Sequence, residues 1–326
     1  MTGLAVQRLL SVPTSWPPTL VVVVDTEEEF NWSAPFDAAS TGVSNIACQH
    51  LAQRILDAHG VVPTYVVDYP VAATPAAAAT LRAIAGDGRC DIGAHLHPWV
   101  NPPAEGPIDA RHSYPGNLPP ELERRKLAAL TQAIMAGFGI RPVVYKAGRY
   151  GIGPATAGIL RDLGYAIDVS VVPHTDFSAD DGPDFRGLPD RPFVIAPGVV
   201  ELPLSVHFAG ALRGAGRYVY PRLAGRLPGV AARLGLLERL RLSPEGHRLD
   251  DMLRQTRAAL AGGARLFMLT YHSATLLPGA TGYVRDEAGR DRFLARLDDY
   301  CRAFLGRFGG RASTPAAVAA ALEGGA

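Results

Sequence analysis

The segment that most constrains this chain is the run Leu20-Val21-Val22-Val23-Val24, which passes directly into Asp25-Thr26-Glu27. Five aliphatic residues in succession leave no polar face for solvent. The segment therefore reads as a strand covered on both sides, as in a parallel sheet flanked by helices. The rest of the chain repeats that pattern. Helices are predicted over 44–58, 75–85, 119–138 and 154–163, alternating with strands over 61–67, 90–94, 142–146 and 165–170. One or two further strands fall within 194–204 and another within 266–271, and helices over 291–308 and 315–322 close the chain. At 326 residues, 48% hydrophobic, the chain can bury a large core. Strands alternating with helices near the ~250 residues typical of a barrel predict an α/β fold: a deformed (β/α) barrel of seven parallel strands, with 1–326 as one domain. A doubly wound open sheet is the competing arrangement.

The alternation breaks over 205–247, where seven Arg stand against Glu238 and Glu245. This stretch is expected to be a helical basic insertion before the last strand. Its charges read as a solvated face, with a patch for an anionic partner as the alternative. A net charge of +1 and a pI near 7.8 give no overall electrostatic reason to bind nucleic acid. Cys48, Cys90 and Cys301 are widely spaced and form no C-x-x-C pair, so no disulfide framework or thiolate zinc site is indicated. Leu20–Val24 is the longest aliphatic run, so neither a transmembrane segment nor a leader is expected, and a cytoplasmic location is.

Two short patterns stand where strands end, Asp25-Thr26-Glu27 and His95-Leu96-His97. Side chains two apart on extended chain point the same way, roughly 6–7 Å apart, and in a parallel barrel the C-terminal strand ends form the active face. A carboxylate with two imidazoles and room for water is a recurring catalytic zinc environment. Taken alone, Asp25 and Glu27 fit a helix cap or solvated loop equally well, and Glu28 and Glu29 are read that way. An isolated H-x-H is as readily one core and one surface histidine. What favours ligation is the sequel to His97, Pro98-Trp99-Val100-Asn101-Pro102-Pro103, a rigid aromatic loop of the kind that lines binding surfaces.

In order along the chain come D-T-E-E-E-F-N-W from Asp25, D-I-G-A-H-L-H-P-W-V-N-P-P from Asp91 and Y-K-A-G-R-Y-G from Tyr145. E-L-P-L-S from Glu201, R-L-S-P-E-G from Arg241 and L-T-Y-H-S from Leu269 follow. This succession resembles the polysaccharide deacetylase family (NodB homology, carbohydrate esterase type), most of all its WalW-type branch, from about Val21 to about Phe304. The resemblance implies a deformed (β/α) barrel holding a divalent ion, usually zinc. By position, Asp25 matches the catalytic base, Glu27 the metal carboxylate and His95 the first metal histidine. The common pattern has adjacent aspartates and histidines four apart, and here Trp99 stands at the second histidine's place. His97 is therefore taken as the second ligand, and Asp25 as a possible further one. Lys146 replaces an arginine that pairs with the base, and Arg149 is the candidate to restore its fork. His272 matches the histidine that protonates the leaving nitrogen. Trp99, Tyr150, Asp176, Phe177 and Tyr271 are the expected substrate contacts, with His174 beside them.

The activity implied is metal-dependent removal of an N-acyl group, acetyl above all, from an amino sugar or other glycan. Hydrolysis of a small cyclic amide or imide on the same fold is the alternative. A non-catalytic glycan-binding relative is a third reading, and an assembly component docking through 205–247 a fourth.

Overall fold

Leu20 through Val24 are fully buried, as their unbroken aliphatic run requires. In this computed structural model, which describes residues 3–223 and 225–324, they lie in a long interior strand of a curled sheet. Its parallel strands are β1 (Thr19–Thr26), β2 (Thr64–Val67), β3 (Asp91–Leu96), β4 (Val144–Ala147), β5 (Ile167–Asp168), β6 (Val199–Glu201) and β7 (Leu266–His272). They lie in the order β7-β1-β2-β3-β4-β5-β6, each neighbour parallel to the next. The helices Gln49–Ala58, Pro75–Gly86, Pro120–Phe138, Thr156–Asp162, Leu249–Ala261 and Glu287–Arg302 follow the strands. With one face of β1 turned to the barrel interior and the other to these helices, no position in the run can be polar. Burying each such valine is worth on the order of 1.5–3 kcal/mol.

The sheet is a deformed barrel because it does not close: among the described residues β6 and β7 are not paired. The predicted strand region 194–204 resolves into Phe193–Ala196 and β6, an antiparallel pair turning at Gly198 with φ 76°. Arg8–Leu9 adds antiparallel to the outer edge of Phe193–Ala196.

The insertion departs from its expected form. It begins and ends as a two-stranded antiparallel ribbon, Val206–Ala209 against Glu238–Arg241, with the short helices Gly216–Val219 and Leu227–Arg233 between. The root of this ribbon fills the opening in the barrel. Met268 N donates to Ser205 Oγ at 2.8 Å and Thr270 N to Leu242 O at 3.3 Å, so amides on the free edge of β7 are satisfied. Arg213, Arg217, Arg222, Arg226 and Arg233 are exposed, as a solvated face would be. Arg239 and Arg241 turn inward instead. No helix among the described residues is long and apolar enough to cross a membrane.

Candidate functional site

Strand register brings the predicted residues to one place. His272 on β7 pairs with Asp25 on β1, and His95 on β3 pairs with Lys146 on β4. Paired residues of a parallel sheet share a face, so four strands present these side chains together at their C-terminal ends. Gly148 is needed here: a Cβ on it would lie 2.4 Å from Leu96 O and 2.5 Å from His97 Cδ2. The loop after His97 is tied down by Lys126, whose ammonium donates to the carbonyls of Pro98, Asn101 and Pro103.

Each histidine has one ring nitrogen committed and one free. His95 Nδ1 donates to Lys146 O at 2.9 Å, and His97 Nδ1 meets Glu28 Oε2 at 2.8 Å. Both Nε2 atoms then face Glu27 Oε2, each at 3.4 Å. Ligand atoms set 2.0–2.1 Å from a tetrahedral centre stand roughly 3.3 Å apart, so the spacing is that of donors around one cation. His97 Nε2 is buried with no hydrogen-bond partner, an orphan that such an ion would satisfy. Glu27, His95 and His97 are all buried and mutually within ligating range. Asp25 stands outside that group.

Glu28 corrects the sequence reading. It is fully buried rather than a solvated loop acid, and it orients His97, as a carboxylate commonly does behind a metal histidine. Glu29 does behave as a cap, accepting from Ser44 Oγ and Asn45 N at the start of the next helix. Glu28 N donates to Asp68 Oδ2 at 2.6 Å, and burial pushes the Glu28 carboxyl up to about 7 and that of Asp68 well above its ordinary range. Glu28, Asp68 and His97 also cluster closely. Both Asp68 oxygens, however, already accept from backbone amides, those of Glu28 and Val71, so this cluster reads as support.

Beside the triad, Lys146 Nζ contacts both oxygens of Asp25 at 2.6 Å. Burial opposes ionisation of Asp25, yet Lys146, His95 and His272 outweigh it and hold the carboxyl at about 2. His272 Nε2 lies 3.6 Å from Asp25 Oδ2, while its Nδ1 meets Glu245 Oε2 at 2.8 Å. Glu245 is itself fixed by the His272 amide and by Thr275 Oγ1. Burial disfavours the imidazolium of His272, but Glu245 and Glu27 prevail and raise its pKa well above the usual histidine value.

These groups open on a cavity of about 270 Å³ lined by Asp25, Glu27, His95, His97 and His272 with the rings of Trp32, Tyr114, Tyr150, Phe177 and Tyr283. Arg149 and Arg241 line it too. Tyr150 and Phe177 therefore stand where substrate contacts were expected. Arg149 does not supply a fork to Asp25: it donates to Ala110 O and Ser113 Oγ and lies over Tyr114, because a left-handed φ of 53° turns it from the strand axis. Asp176 faces Arg186 at 2.9 Å rather than the cleft. Tyr271, adjacent to His272 on a strand, points to the opposite face and packs on Phe293. His174 lies outside this lining, near Asp190 and against Phe208. Trp99 is buried, stacked on His97 with ring centroids 4.3 Å apart, and so packs behind a candidate ligand rather than lining the cleft. Sequence reasoning missed Trp32, Tyr114, Tyr283, Arg241, Glu245 and Asp68. Arg241 and Glu245 carried a signal, since both fall in the R-L-S-P-E-G segment.

No family model and no curated protein matches the sequence. Solved structures do match in shape. A protein from Mycobacterium smegmatis named "putative polysaccharide deacetylase" superposes with a TM-score of 0.57 at 18% identity, over 98% of this chain and 95% of that one. The fold is that of polysaccharide deacetylases. PuuE allantoinase shares it, with a TM-score of 0.53 at 15% identity over 95% of this chain and 93% of that one. At such identities the likeness is one of architecture, and chemistry has to be argued from the residues.

Proposed function

We propose that this chain is a metal-dependent amide hydrolase that removes an acyl group, acetyl above all, from the nitrogen of an amino sugar or related glycan. The observation that carries this reading is the convergence of His95 Nε2 and His97 Nε2 on Glu27 Oε2, each at 3.4 Å, beside an ionised Asp25. One carboxylate and two imidazoles with the remaining side open to a cleft suit zinc. A divalent ion held there would lower the pKa of a water from 15.7 towards ~7 and polarise an amide carbonyl.

The protein's own groups divide the proton work. Asp25, fixed at both oxygens by Lys146, is the acceptor for the proton of an attacking water. His272 carries its proton at neutral pH because Glu245 stabilises the imidazolium, and Nε2 is the atom that faces Asp25 and the cleft. That makes it the donor to a departing nitrogen, which leaves poorly without a proton. The aromatic lining offers flat faces on which a sugar ring can stack. The order of sequence motifs supports the WalW-type branch of the deacetylases. The shared architecture with an allantoinase keeps cyclic ureides and imides as the second reading.

The test is hydrolysis of chitooligosaccharides beside cyclic ureides and imides, with the protein stripped of metal and then reloaded with zinc. Zinc-dependent release of acetate supports the reading. Activity indifferent to metal, or no turnover of either substrate set, would remove it. The role of His272 predicts a further result. Glu245→Gln removes the largest electrostatic support of the imidazolium, so the alkaline limb of the kcat against pH profile should move to lower pH. An unmoved limb would assign that limb to another group.

A further inference from the structure

The cleft holds two guanidinium groups that the proposed hydrolysis does not use. Arg241, at the end of the insertion's ribbon, donates from Nη1 to Tyr150 OH at 2.6 Å and makes no ion pair among the described residues. The carboxylates whose charge reaches it are Glu245 and Asp25, and both are engaged, Glu245 by His272 and Thr275 and Asp25 by Lys146. Arg149 is likewise without an ion pair among those residues, held between the rings of Tyr114, at 4.1 Å, and Phe36, at 5.3 Å. The cleft also contains Asp180, which is exposed and makes no ion pair with Arg149.

The backbone is strained where these groups are presented. Arg149 and Tyr150 are consecutive non-glycine residues in the left-handed region, with φ of 53° and 61°. Such residues persist only where the surrounding structure demands it. Here the turn aims both side chains into the cavity, and Tyr150 OH positions Arg241. A guanidinium that lines a cleft without an ion-pair partner is a place for an anion from the substrate. The fork of a guanidinium suits a carboxylate.

We infer that the substrate carries a carboxylate, bound by Arg241 with Arg149 beside it, so that the natural substrate class is an acidic N-acyl compound such as an N-acylated amino sugar acid. This rests on the hydrolase reading only for the word substrate; the anion site stands on the arginines. The ribbon, on this account, is a specificity element that closes the barrel and delivers the recognising cation.

Matched pairs of ligands test it by calorimetric titration of the full-length, zinc-loaded protein. N-acetylglucosamine is compared with N-acetylglucosaminuronate, and hydantoin with hydantoin-5-acetate. In each pair the carboxylate member should bind about tenfold tighter or more, the scale of a charged hydrogen-bonded contact. Added salt should erode that preference. Arg241→Met should abolish it by weakening the carboxylate member far more than the neutral one, and Arg241→Lys should keep part of it. Should Arg241→Met fail to fold by circular dichroism, the wild-type preference and its salt dependence decide the matter alone. Equal binding within each pair, no detectable binding of any member, or a preference that survives in folded Arg241→Met overturns the inference. A carboxylate preference without turnover of any N-acyl compound would leave this inference standing and remove only the hydrolase reading. Turnover without the preference would do the reverse.

Discussion

Replacing Asp25 by Asn is expected to lower kcat by a factor on the order of 10² to 10⁴, the usual contribution of a general base, while the protein still takes up one divalent ion. The two effects separate because the structure separates the groups. Glu27, His95 and His97 form the candidate ligand cluster, and Asp25 stands beside it on Lys146. The substituted amide would fill nearly the same space but offers no carboxylate to receive a proton. Uptake of cobalt, followed by its absorption, should match wild type in Asp25→Asn and vanish in the double variant His95→Ala with His97→Ala. If Asp25→Asn turned over at the wild-type rate, Asp25 would not be the base. If it lost the ion as the histidine pair does, Asp25 would be a ligand instead.

The parts of this site legible in the sequence were those set by strand periodicity. Asp25 and Glu27, like His95 and His97, are two residues apart at strand ends, and parallel pairing then aligns His272 with Asp25 and Lys146 with His95. The convergence of these side chains at one end of the sheet follows from that. What escaped lies off the strands. Glu28 reads as one more acid in a run of three, and only burial against His97 reveals its work. Glu245 and Arg241 reach the cleft because the ribbon folds back across the opening of the barrel, a connection between distant segments that no local period encodes. Tyr271 was misplaced for a simpler reason. It neighbours a functional histidine, and on a strand a neighbour belongs to the other face.

Lysine at position 146 reads in the sequence as a weaker substitute for arginine, and the structure gives it a larger consequence for stability. Lys146 is fully buried and Asp25 nearly so. Removing one partner of a buried pair leaves an uncompensated charge and costs about 3–5 kcal/mol. Lys146→Met, which keeps much of the side-chain volume, should therefore lower unfolding free energy at pH 7 by an amount near the bottom of that range, since His272 remains 3.6 Å from Asp25. Urea denaturation measures it. The dependence on pH has a definite sign. The Asp25 carboxyl is depressed from 3.8 to about 2 in the folded wild type, so the stability it contributes is present above the former value and lost as pH falls through the latter. In Lys146→Met the buried carboxyl is pushed upward instead, and the penalty disappears once Asp25 is protonated. The gap between the two proteins should thus be widest near neutrality and narrow steadily into acid, and Lys146→Arg should retain most of the wild-type value at pH 7. A loss below about 1 kcal/mol at pH 7, or a gap that does not change with pH, would mean that the ion pair is not what holds Asp25 in place.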